Sequence, residues 1–123
     1  MAIAAHNLAM QNGLIFGPFK MTVADSVDNL LYMPDVNGDL IVAAGNVLCG
    51  WVERQCKIGE YVSLVLTGVR PAKASGAITA GAAVTVDSAG KIKAATVGTD
   101  HVHGFALHTT DADNDVVTFV KSS

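Results

Sequence analysis

From about Asp39 onward, apolar and polar residues alternate in short runs, each closed by Gly, Asn, Asp or Ser. Alternation at that period predicts extended strands joined by tight turns. The clearest run is GEYVSLVLTG, where Val62, Leu64 and Leu66 share one face and Tyr61, Ser63 and Thr67 the other. NVLCGWVER, GVRPAKA, AAVTVD, GKIKAA, VHGFALH and DVVTFVK read the same way, giving seven expected strands. Between AVTV and KIKAA, the residues Asp87-Ser88-Ala89-Gly90 predict a hairpin turn with Gly90 at positive φ, and with Val84 and Val86 opposite Ile92 and Ala94. Gly81 is expected to make the preceding turn, and Gly38 the turn in DVNGD. The predicted fold is all-β: a small β-barrel or β-sandwich-like domain of short antiparallel strands.

The pattern before Asp39 is different. Leu14, Ile15, Phe16, Phe19, Met21, Leu30, Leu31, Tyr32 and Met33 are large and apolar, but irregularly spaced and interrupted by Gly13, Gly17, Pro18 and Pro34. Residues 1–38 therefore read as an extended N-terminal arm and connecting segment, ahead of a β-rich domain over 39–123. One short helical turn is expected through Leu31, capped by Asp25 or Ser26. Such an arm either closes over its own domain or docks onto a neighbour.

Composition sharpens this picture. A chain of 123 residues suits one small domain, and small domains have much surface for their volume. Charged residues make up only 15% of the chain and hydrophobic ones 50%, against about 25% charged in an ordinary soluble domain. Surplus apolar side chains on so small a body call for cover by other protein chains.

A net charge of −3, with the 8 basic residues scattered singly, argues against direct contact with nucleic acid. No apolar run approaches the roughly 20 residues that span a bilayer, and no basic residue precedes the apolar start. Neither a membrane span nor a signal peptide is expected. Cys49 and Cys56 are too few for a disulfide scaffold and read as reduced, half-buried thiols of a protein made in a cytoplasm.

The candidate chemistry is thin. His101, His103 and His108 cluster in HVHGFALH, but His108 falls on the opposite strand face from His103, and no carboxylate is placed to orient the imidazoles. The acidic run TDADNDV has Val116 where a calcium loop requires glycine, and lacks the closing glutamate. No nucleophile elbow or phosphate-binding glycine loop is present, and Cys49, flanked by Leu48 and Gly50 in a strand, would be blunted by burial. No cofactor, metal or catalytic residue is expected, and the chain does not read as an enzyme.

The order of the strands carries a resemblance. The G-x-x-V-x-L-x-L-x-G-V strand from Gly59, the I-T-A-G-x-x-V-x-x-D-x-x-G-K-I hairpin from Ile78, the G-x-A-L strand from Gly104 and the closing D-x-V-x-F-V strand from Asp115 together resemble the tailed-phage capsid cement, or head-decoration, family. AAGNVLCGWV also fits, so the likeness runs from about Asp39 to the C-terminus. Where the family's last turn usually has glycine, this chain has Asn114, which tolerates the same left-handed state.

The resemblance implies a decoration domain that binds the outer surface of a phage head, bridges major capsid protein subunits and stabilises the shell. It also implies self-association, with a trimer favoured, and a virion location after synthesis in the host cytoplasm. On that reading Leu14, Ile15, Phe16, Phe19 and Tyr32 are the candidates for capsid or inter-subunit contact. Trp51 and Arg54 follow, because Trp and Arg are enriched among interface hot spots. The alternative is a virion-borne carbohydrate- or receptor-binding β module, although aromatic residues are only 6% of the chain.

Overall fold

The computed structural model describes residues 15–22, 24–44 and 48–122. These hold ten strands and no helix: β1 (Ile15–Met21), β2 (Tyr32–Pro34), β3 (Asp39–Val42), β4 (Trp51–Val52), β5 (Tyr61–Val65), β6 (Gly68–Lys73), β7 (Ala83–Val86), β8 (Ile92–Ala94), β9 (Gly104–Ala106) and β10 (Val116–Lys121). They form two five-stranded sheets, ordered β2-β3-β1-β5-β4 and β6-β10-β9-β7-β8.

Each sheet curls until its edges meet. In the first, Tyr32 and Gly50 exchange both backbone hydrogen bonds at 2.7 and 2.9 Å, joining edge strand β2 to the start of β4. In the second, a parallel bridge between Ala74 and Ile92, with Ser75 N–H donating to the Ile92 carbonyl at 2.7 Å, joins the end of β6 to β8. Closing a sheet removes the exposed edges that short strands would otherwise present. The expected small-barrel character is thus present twice. All strand pairs are antiparallel except β1 with β3, whose parallel register sets Lys20 beside Asp39 and Met21 beside Leu40. The chain between them, which contains β2, supplies the long crossover a parallel pair needs.

Residues 15–38, expected as an arm and connecting segment, supply β1 and β2 of the first sheet. Met21, Leu31 and Tyr32 from this stretch are buried. Residues 1–14, the remainder of the expected arm, lie outside the described residues.

The expected helical turn is not formed. Asp25 Oδ1 instead accepts from Ile58 N–H at 2.9 Å, and Ser26 Oγ accepts from Cys56 N–H at 2.7 Å. The two capping residues satisfy another loop's donors across the fold, and only a turn closed by Leu30 N–H to Val27 O remains. Tertiary partners have overridden a local preference.

Two hydrophobic clusters follow from the two sheets. Met21, Tyr32, Leu40, Val52, Val62 and Leu64 pack with Cys56 on the inner face of the first sheet. The second cluster is shared: Leu31, Trp51 and Val65 from the first sheet meet Ala72, Val84, Val86, Ile92, Ala106, Val117 and Phe119 from the second. Trp51 stacks on Phe119 with ring centroids 5.2 Å apart, and its indole N–H donates to the Pro71 carbonyl at 2.8 Å.

The sheets are also joined through the backbone. β5 ends at Val65 and β6 begins at Gly68, so only Leu66 and Thr67 lie between sheets. The β7–β8 hairpin supplies a further joint. Its register places Val84 opposite Ala94 and Val86 opposite Ile92, as the sequence predicts. Gly90 in its turn has φ of 73° and accepts a hydrogen bond from Leu31 N–H at 2.9 Å. A Cβ on Gly90 would sit 2.7 Å from both the Leu31 carbonyl oxygen and Val42 Cγ1, so this turn requires glycine for its backbone state and for its close approach.

Candidate interaction surface

The seven sequence-predicted contact residues separate into different environments. Leu14 lies outside the described residues. Ile15 and Phe16 are 53% and 50% exposed at the start of β1, opposite Val65 and Leu64 of β5. Phe19 is half-buried against the inner cluster of the first sheet, with its ring centroid 5.5 Å from that of Phe16. Phe16 therefore stands where an internal apolar layer runs out to the surface.

Tyr32 and Trp51 are core residues. The Tyr32 hydroxyl accepts from Val27 N–H at 2.9 Å, and burial raises its pKa while that bond works in the opposite direction. Trp51 fills the junction between the sheets. A single large aromatic with a polar atom suits either a core or an interface, and here the Pro71 carbonyl satisfies the indole from inside. Arg54 is exposed. It donates from Nη2 to the Tyr61 carbonyl at 2.9 Å and lies 3.8 Å from the Glu60 carboxylate.

The structure brings forward a surface that the sequence reading missed. Along the second sheet, Val69 of β6, Val120 of β10 and Phe105 of β9 lie side by side in register, and Ala83 of β7 continues the row. Their neighbours inward of the sheet, Phe119, Ala106 and Val84, are buried. By strand alternation the row points outward. Val69, Phe105, Leu107 and Val116 are 55%, 52%, 52% and 48% exposed. The available signal was the doubling of apolar residues in β10, where Val116 and Val120 occupy one face and Val117 and Phe119 the other. A strand apolar on both faces is built to be covered on both.

The fold brings Cys49, His103 and His101 together and sets His108 apart. Cys49 Sγ lies 3.8 Å from His103 Nδ1 in the interior, and the His101 and His103 rings meet edge to face with centroids 4.5 Å apart. His108 is elsewhere, accepting from Thr118 N–H at 3.0 Å. Near Cys49 the buried Lys121 ammonium donates to the Leu66 carbonyl at 2.6 Å. Burial pushes the Cys49 thiol up, with Lys121 opposing, and pushes the Lys121 ammonium down, with Cys49 opposing. A raised thiol pKa lowers the thiolate fraction that nucleophilic chemistry needs. Among the described residues, no group of three or more His, Cys, Asp or Glu is placed to hold a metal ion.

The acidic residues serve turns. Asp35 Oδ1 accepts from Asn37 and Asp39 N–H, Asp87 Oδ1 from Ala89 and Lys91 N–H, and Asp115 Oδ2 from Asp111 and Ala112 N–H. Asn114 has φ of 68°, the left-handed state that the sequence comparison with glycine required.

An all-β body with closed sheet edges and bare apolar patches is a scaffold that presents surfaces, and known proteins place it more narrowly. The structure is similar to that of the head fiber gp8.5 N base in bacteriophage phi29, with a TM-score of 0.65 and 19% identity, over 89% of this chain and 93% of that one. At that identity the likeness shows the fold. The phage cement protein family model matches residues 24–121, and the chain belongs to that family. It is a phage structural protein associated with the capsid. The family match begins well before Asp39, in keeping with the place of β2 in the first sheet. None of the curated proteins matches the chain.

Proposed function

We propose that this protein binds the outer surface of the phage head and strengthens it by bridging neighbouring major capsid protein subunits. The observation that carries the reading is the exposed apolar end of the first sheet, Ile15 and Phe16 beside Phe19, on a chain whose family is that of phage cement proteins. Apolar side chains at the rim of a packed layer gain free energy when a partner completes the layer, at about 25 cal/mol per Å² removed from water.

The role is additive. One contact of about 1,000 Å² is modest, but many copies on a closed shell act together, and a molecule touching two subunits at once dissociates far more slowly than its single contacts would. Self-association, with a trimer favoured, would multiply the contacts per particle and suit a threefold position.

The test is co-sedimentation with undecorated heads. An Ile15→Ser, Phe16→Ser double variant should lose head occupancy while its thermal unfolding stays near wild type, since both side chains are already half in water. Unchanged occupancy would remove this end of the molecule from the capsid contact. Failure of the wild-type protein to bind heads would overturn the function itself.

A further inference from the structure

We infer that the outward face of the second sheet is the surface through which copies of this chain join one another. The inference rests on the capsid-associated reading only in assuming that the protein works in several copies. Its support is the face itself.

Three adjacent strands contribute the centre of that face. Val69, Val120 and Phe105 stand side by side, and Pro71 pairs with Thr118 in the next outward row. Leu107 N–H donates to the Thr118 carbonyl at 3.0 Å, which brings Leu107 alongside that second row. Val116, opposite Lys73, begins the third row. The result is a contiguous field with aromatic and aliphatic side chains at its centre, with Val69, Phe105, Leu107 and Val116 each about half exposed. Scattered apolar residues are ordinary on a protein surface, but four on adjacent rows of one sheet face form a patch.

The charge pattern selects the occupant. No carboxylate occupies an outward position in these rows, and the lysines of the same orientation, Lys73 and Lys93, each sit one residue from the Ala74–Ile92 bridge, at the margin. A surface that meets its own copy about a symmetry axis sets each charge against like charges near the axis, so a self-interface favours a neutral centre with ionic groups outside it. The inner rows of this face have that arrangement. Interfaces between identical chains are also more apolar at their centre than contacts between proteins that meet transiently. Two of the three central strands are held on both flanks, β10 by β6 and β9, and β9 by β10 and β7, while β6 pairs along its whole length with β10, so the face is already formed before a copy arrives.

The experiment is sedimentation velocity and light scattering of the isolated full chain over a wide concentration range. The wild-type protein should run as a defined multiple of 12.7 kDa. Phe105→Glu should shift it to the single-copy mass and raise the dissociation constant by about 30-fold or more. Phe105→Ser is the milder partner variant: it adds no charge, and should weaken association in the same direction. The near-ultraviolet circular dichroism of buried Trp51 verifies folding of both, and if the glutamate variant unfolds, the serine variant decides.

A wild-type protein that stays at single-copy mass overturns the inference, as does an unaltered oligomer in the folded variants. Head co-sedimentation of Phe105→Ser separates this result from the function. If wild type is a single copy and this variant loses head binding, the face belongs to the shell, and the inference fails while the capsid role stands.

Discussion

The two sheets solve the same problem in opposite ways. The first encloses a cluster of its own, and the loops that hold Leu30 and Cys56 pack onto that cluster while lacing to each other through Ser26, Asp25 and backbone bonds. The second encloses no private cluster. Its inward residues share one with Trp51, Val65 and Leu31 of the first sheet, and its outward Val69, Phe105 and Val116 remain about half exposed. In the first sheet the chain's own loops cover the apolar cluster, and in the second the outward apolar field is left about half exposed although its connecting loops are as long.

The largest effect should come from the shared cluster. Phe119→Ala removes the ring that stacks on Trp51 and leaves a cavity between the sheets, at a cost of about 3–5 kcal/mol in urea unfolding. Because the cluster belongs to both sheets, amide exchange should accelerate in β5 as well as in β10. Protection retained in β5 would show that the first sheet stands alone.

A smaller loss is expected from the joint at the hairpin turn. Gly90→Ala places a Cβ against Leu31 and Val42 in a left-handed backbone, which should cost about 1–3 kcal/mol by thermal unfolding. An unchanged midpoint would mean that the hairpin moves away at little cost and that the sheets meet only through side chains.

The smallest effect is one of pH. Burial lowers the Lys121 ammonium from its ordinary 10.5, so between the native and unfolded values the unfolded chain binds more protons. The Lys121 contribution to stability must then rise as pH climbs from neutral toward 10.5. Cys49, raised above 9.0, acts with the opposite sign above that pH, so the comparison is made in a Cys49→Ala background. There the melting temperature of the Lys121-containing protein, minus that of its Lys121→Met variant, should increase with pH. A flat difference would contradict a buried ammonium at the end of β10.

Much of the second sheet was legible in the sequence because its pairings are local or its signals strong. The hairpin at Gly90, the turn at Asn114 and the alternation in β10 are dictated by backbone sterics and a period of two. The first sheet was less so. The Tyr32–Gly50 closure and the parallel β1–β3 pair join segments far apart in sequence, and no local pattern encodes which distant strand a short apolar run will meet. For the same reason Trp51 was indistinguishable from a surface anchor until Pro71 and Phe119 came beside it. The exposed face of the second sheet has its own signal in the chain, the two-sided apolar character of β10.

One consequence follows from the passage between β5 and β6. Two residues reach at most about 7 Å, too short a tether for one half of the molecule to swing against the other. If Phe16 holds the shell and Phe105 a second copy, as proposed, the body would respond as a stiff clasp: strain in the wall beneath it would reach that copy with almost no slack to absorb it.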